Sequence, residues 1–185
     1  PDLVDDNLWA LGQHYGLATP LLDWTESPYV ATFFAYYETI DEHDDTNHVV
    51  FGLHHKISDI CQKIGPLLGH FEAIPKIHHV KPQLDENYRL INQRGLFTQM
   101  KRGNSNFCMD IEKWINTYIP NSHETITPFL QEIADTILYR IELPSNMRDK
   151  ALRILNTMNI SHQTLFPDLE GAALYCNAKI ELGNY

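Results

Sequence analysis

Much of this chain's chemistry is bounded by what its 185 residues leave out. No CxxC pair occurs; the three cysteines, Cys61, Cys108 and Cys176, are odd in number and widely spaced, so neither a zinc ribbon nor a redox pair is expected. Buried, reduced thiols and a cytoplasmic setting are the expectation instead. No apolar run approaches the length that spans a bilayer, so no membrane partner is expected. Basic residues are outnumbered, 14 against 24 acids, for a net charge of −10, and no basic patch marks a nucleic-acid surface. The GxxxxGK[ST] phosphate loop, GxGxxG, the GxSxG elbow and HExxH are all missing. What survives is chemistry that needs only a carboxylate, a few hydrogen-bond donors and an aromatic wall.

The densest run of specific residues is Gln13 to Glu38, QHYGLATPLLDWTESPYVATFFAYYE. Leu8 to Tyr15 reads as the end of a helix stopped by Gly16. Pro20 to Thr25 reads as a short buried strand. Ser27 is an N-cap and Pro28 suits the first position of a second helix, where no N–H is needed. That helix is apolar nearly all round to Ile40, which predicts a buried one. Asp23, Trp24 and Thr25 therefore close a strand and lead into a helix N-terminus, a place suited to ligands and to anions.

The remaining elements follow from shorter signals. TIDEHDDTN, Thr39 to Asn47, lacks the Gly and Glu of a calcium loop and reads as a solvated loop. His48 to His55 and Ile77 to Val80 read as strands, and Ser58 to Ile64 as a short helix. Neighbours on a strand face opposite ways, so neither His54–His55 nor His78–His79 chelates one ion alone, and no metal site is assigned. Glu86 to Gln93 is a predicted helix with Gly95 as its C-cap, followed by a strand to Met100. Asp110 to Ile119 is a predicted amphipathic helix. Thr136 to Leu143 alternates, with Ile137, Tyr139, Ile141 and Leu143 on one face. Ser145 is expected to cap a helix that buries Met147, Ala151, Ile154, Leu155 and Met158, and Leu165 to Ala178 forms the last helix, with Pro167 and Asp168 in its first turn.

QHYGLATPLLDWTESPYVATFFA resembles the signature of the FRG domain family, whose usual form is close to QHxGLPTRLLDWTxSPxxAxxFA. Gln13, His14, Gly16, Leu17, Thr19, Leu21 to Thr25, Ser27, Pro28, Ala31, Phe34 and Ala35 match it. Arg89, Gln93 and Gly95 to Thr98 resemble the family's R…QxGLFT element, and Thr164 to Leu169 with Gly171 resemble its terminal TLFPDLxG. Pro20 stands where the family has arginine and Ala18 where it has proline, and the Phe-Arg-Gly motif itself is expected upstream of Pro1.

The resemblance implies one α+β domain over 1–185, truncated at its N-terminus, with a mixed sheet packed by helices. It also implies a bacterial or phage protein with a role in conflict or defence. Its strand-to-buried-helix layout is similar, at the level of fold alone, to ADP-ribosyltransferases. That analogy makes NAD the expected cofactor. Asp23, His14 and Gln93 are the catalytic candidates, and Trp24, Thr25, Ser27, Arg89 and Phe97 the ligand contacts. No glutamate is identified for the carboxylate such enzymes use. A non-catalytic module for a nucleotide or a protein partner is the alternative, and an inactive fragment is a third reading. Asp23, after two leucines, is expected to be buried and to need a partner such as Arg89, which is otherwise a phosphate clamp. Trp24 either stacks a ring or packs the core, and Thr25 and Ser27 are most simply helix caps. The Asp-Trp-Thr corner and the segment from Gln93 through Gly95 to Phe97 are expected to meet and to border one hollow.

Overall fold

The computed structural model describes residues 3–37, 47–57, 59, 77–80, 88–100, 117 and 137–183. Helices and small sheets share the chain, an α+β architecture. The acidic stretch 39–46, nearly all of the predicted helices at 58–64 and 110–119, and Cys61 and Cys108 lie outside the described residues. The described residues fall into two compact units, one drawn from 1–22, 51–80 and 97–140, the other from 23–50, 81–96 and 141–185.

In the first unit, helix α1 (Leu3–His14) ends as the glycine predicts. Gly16 has φ +83°, and its N–H and that of Leu17 donate back to Gln13 O and Gly12 O, each at 2.9 Å. Those two bonds are a Schellman motif. Thr19 Oγ1 then donates to Gln13 Oε1 and accepts from the Leu21 N–H at 3.3 Å, which leads the chain into β1 (Leu21–Thr25). Strand β3 (Ile77–Val80) runs antiparallel to β4 (Gly95–Met100), with Val80 opposite Phe97, and the sheet order is β1-β4-β3. Ala10, Leu21, Val80, Phe97 and Thr98 are buried.

A second sheet pairs β2 (His48–Leu53) with β5 (Leu138–Leu143). The strand pattern of β2 stops at Leu53, so the rule of opposite faces does not reach His54 and His55; their rings stack at 4.9 Å. On β5 the alternation predicts one buried face, yet only Ile137 beside it is fully buried, while Tyr139 and Ile141 are about half exposed. A period of two reports which side chains share a face, not whether that face is covered.

The second unit is built on helix α2 (Pro28–Tyr37). Val30, Phe33 and Tyr36 are buried, one helical face, and they cluster with Leu152, Leu155, Leu165 and Leu182. Phe34 and Tyr37 are partly buried beside them, but Tyr29 is 53% exposed, so the helix is not enclosed all round as its composition suggests. Each fully buried side chain of this size contributes roughly 1.5–3 kcal/mol. Tyr36 O–H donates to Pro144 O at 2.9 Å, and burial raises its pKa.

The later helices depart from expectation in instructive ways. Ser145–Met147 wind as a 3-10 turn, and α4 begins only at Arg148 (Arg148–Thr157). Its inward face is Leu152 and Leu155 with Ala151 packed beside them, whereas Ile154 and Met158 are exposed. Asn159, at φ +61°, closes α4 with a second Schellman motif, Asn159 N–H to Asn156 O and Ile160 N–H to Leu155 O. The expected last helix is two. The short α3 (Tyr88–Asn92) packs on α5 (His162–Leu165), and α6 (Leu169–Leu182) follows after Pro167. Ser161 and Thr164 form a capping box on α5, and Asp168 is the N-cap of α6, accepting the Gly171 N–H at 2.9 Å.

Two glycines are fixed by close approach. A Cβ on Gly171 would collide with the Phe166 carbonyl oxygen and lie 2.6 Å from Phe166 Cβ. A Cβ on Gly95 would collide with the Leu90 side chain, which can rotate. Gly95→Ala is therefore expected to cost about 1–3 kcal/mol in urea unfolding, and Gly171→Ala more, because backbone stands in its way. A Gly171→Ala protein as stable as the parent would contradict this packing.

Candidate functional site

The Asp-Trp-Thr corner and the segment at Gln93 do meet, within the second unit. Thr25 Oγ1 donates to Gln93 O at 2.6 Å and accepts the Ser27 N–H at 3.1 Å. One residue on, the Glu26 N–H donates to Arg94 O at 3.1 Å. The end of β1 is thus sewn to the turn that follows α3. That turn is left-handed at Arg94 (φ +50°), whose N–H donates to Ile91 O, and not at Gly95 as expected. Gly95 is needed one residue later because Leu90 occupies the space its side chain would fill.

The third motif joins from the other side. Gln93 Nε2 donates to Leu165 O at 3.1 Å, and Asn92 Nδ2 donates to Thr164 O at 2.9 Å. Arg89 Nε donates to Asp168 Oδ2 at 2.8 Å; its Nη2 bonds the same oxygen and reaches Glu170 Oε2 at 3.3 Å. The guanidinium also lies 5.4 Å from the centre of the Phe166 ring. The Gly171 N–H, and then Arg89, hold the Asp168 carboxyl below the usual carboxylate range.

This lattice changes what several candidates can do. Gln93 gives its side-chain amide to Leu165 and its carbonyl to Thr25. Arg89 is paired with Asp168 and Glu170, where a partner role toward Asp23 or a phosphate is expected. Arg94 lies 3.8 Å from Glu26, with both side chains more than half exposed. Ser27 is the N-cap expected of it, accepting the Val30 N–H at 3.3 Å, and Thr25 supports it through Ser27 N–H. Pro28 has no N–H and Val30's is taken, so the start of α2 is largely closed by its own chain, against the expected anion site.

Asp23 is exposed, which removes the expected burial cost, and Trp24 beside it is half-buried. Leu22 is likewise 40% exposed, so of β1's two leucines only Leu21 is core. In the first unit, His14 is exposed at the end of α1, edge-on to Tyr15 at 5.1 Å, and Phe97 is 6% exposed, a core side chain where a ligand contact is expected. Cys176 is exposed, not buried. Among the described residues no group of three or more His, Cys, Asp or Glu is placed to hold a metal, and no helix is long and apolar enough to cross a membrane.

Four contributors carry no warning in the sequence. Asn92 and the carbonyls of Thr164 and Leu165 matter through backbone geometry, for which only the co-occurrence of the three motifs is a signal. His162 sits in SHQT, a polar stretch that reads as surface, yet it is 7% exposed, against Phe33 at 5.0 Å and Tyr37 at 4.6 Å.

Thr25→Val keeps the shape and deletes both hydroxyl bonds, leaving Gln93 O without its donor. The expected loss is about 1–3 kcal/mol in chemical denaturation, while Thr25→Ser stays within about 1 kcal/mol of the parent. Equal stability of the Val and Ser variants would remove this bond from its central place.

Comparison with known proteins agrees with the motif. The model described as the FRG domain matches residues 2–45, which include α1, β1 and α2. No curated protein and no solved structure matches the chain. Residues 2–45 are thus similar to the FRG domain family.

Proposed function

We propose that the chain is a nucleotide-recognising module that engages the nucleoside end of its ligand on the face of β1 that carries the exposed Asp23. The observation that supports this is the division of labour at the corner. Thr25, Ser27, Asn92, Gln93 and Arg89 hold the protein together, and the strand they fix leaves Asp23 exposed on one face, with its neighbour Trp24 half-buried on the other. A carboxylate accepts hydrogen bonds from ribose hydroxyls or a base amino group. Phosphate-led recognition has less support. Arg89 and Arg94 are paired with acids, Pro20 replaces an arginine, and the net charge is −10. Following the family resemblance, such a module would act in bacterial or phage conflict.

The NAD-cleaving reading keeps Asp23 as the carboxylate beside a developing oxocarbenium charge. Against it stand Thr25 and Gln93, whose hydrogen bonds are internal.

Calorimetric titration with adenosine, ADP-ribose and NAD separates the two readings. Adenosine is expected to bind within about tenfold of ADP-ribose, and Asp23→Ala to weaken it by about tenfold or more, with no nicotinamide released from NAD. Release above an Asp23→Ala control would establish the enzyme instead. Failure of adenosine to bind at all would end the nucleoside reading.

A further inference from the structure

His162 opens the four-residue helix α5 and is 93% buried by complement of its 7% exposure. Its ring is edge-on to Phe33 and tilted against Tyr37, both on α2. Its Nδ1 is buried and has no hydrogen-bond partner among the described residues. Two and three residues further along the same short helix, the carbonyls of Thr164 and Leu165 receive the side chains of Asn92 and Gln93. Gln93 in turn holds Thr25. Burial of one imidazole is therefore mechanically joined to the corner that carries Asp23 and Trp24.

We propose that His162 is a pH-sensitive latch: its neutral ring seats α5 against α2, and its protonation unseats α5 and releases the Asn92 and Gln93 hydrogen bonds that hold the Thr25 corner.

The proton comes from solvent and goes to the imidazole, so a charge forms in a site lined by aromatic rings. An unpaired buried charge is strongly disfavoured. The groups acting on the ring are few: the Tyr37 phenol ring from α2, Arg148 from the start of α4, and Glu181 from the last turn of α6. Arg148 and Glu181 bond to each other at 3.0 Å, so the carboxylate is a shared counter-ion. Burial first, and the Arg148 charge second, push the His162 pKa below its ordinary value, with Glu181 opposing. The sign follows. The seated form binds the proton less well than the unseated form, whose imidazole titrates at about 6.5. Stability of the latch is therefore whole above that pH and declines as pH falls below it. A short helix has little stability of its own, so α5 is the element expected to yield.

The inference does not depend on the nucleoside reading, because it is read on the protein's own amides. Hydrogen exchange at Glu26 and Ser27, whose N–H groups donate to Arg94 O and Thr25 Oγ1, reports the corner directly. Corrected for intrinsic rates, their opening is expected to rise by up to about tenfold per pH unit below about pH 6.5, the limit for one linked proton. His162→Phe, which fills the aromatic site without a titrating group, should flatten that rise; His48, also buried, is unchanged in this comparison. The same pH dependence in His162→Phe would overturn the proposal. Should that variant not fold, the imidazole resonances of His162 in the parent decide. Titration below 6.5 coincident with amide opening supports the latch, and titration at or above 6.5 overturns it.

Discussion

The 2.6 Å hydrogen bond from the Thr25 hydroxyl to the Gln93 carbonyl joins residues 68 positions apart, and the second unit is arranged around it. A hydroxyl can donate and accept at once, and Thr25 does both, giving its proton to Gln93 O and taking the Ser27 N–H. Gln93 extends the chain of bonds with its own side chain to Leu165, 72 positions away. Closing such long loops costs only slowly more with length, so the expense lies in aligning the groups. Alignment is supplied locally by the left-handed Arg94, the missing side chain at Gly95 and the capping box of α5.

This constraint recasts the family signature. Residues that a one-dimensional reading assigns to catalysis or ligand contact, the glutamine Gln93 and the ligand contacts Thr25 and Arg89, serve here as ties between three stretches of backbone. They are specific for a structural reason, because a tie of this kind needs a donor and an acceptor at fixed positions. The arginine is neutralised by Asp168 and Glu170, and the start of α2 is filled by Ser27 and Pro28, so the corner is not a cationic cradle.

Legibility followed the range of the interaction. Gly16 as a left-handed stop, Ser27 as an N-cap, Pro28 as a first helical residue and the strand after Gly95 each depend on a few neighbours, and each was readable in the sequence. The exposure of Asp23 was not, because a leucine pair predicts a strand but says nothing of which leucine is covered. On α4 the expected Ala151 and Leu155 do face the core, while Leu152 is buried in place of Ile154, because spacing marks a stripe on a helix but not which edge of it meets the core. The last helix was read as one although Pro167 lies inside it. The proline marks a boundary, and Asp168 rather than Leu165 begins the helix that follows. Arg89 shows the limit most plainly. Its need for an acid was legible, but choosing Asp168 over Asp23 requires the path of the chain.

The same reasoning explains why α5 can be short and still matter. Four residues form too few internal hydrogen bonds to stand alone. Its order comes from outside: the Ser161–Thr164 box at its start, the packing of His162 and Leu165 against α2, and the amides of Asn92 and Gln93 on its carbonyls. An element held only by its neighbours yields when any one of them does, and it transmits that loss to the rest because the bonds are shared. The Thr25 corner is thus as firm as the seat of α5, and that seat includes His162, a side chain able to gain a charge, packed against Phe33 and Tyr37.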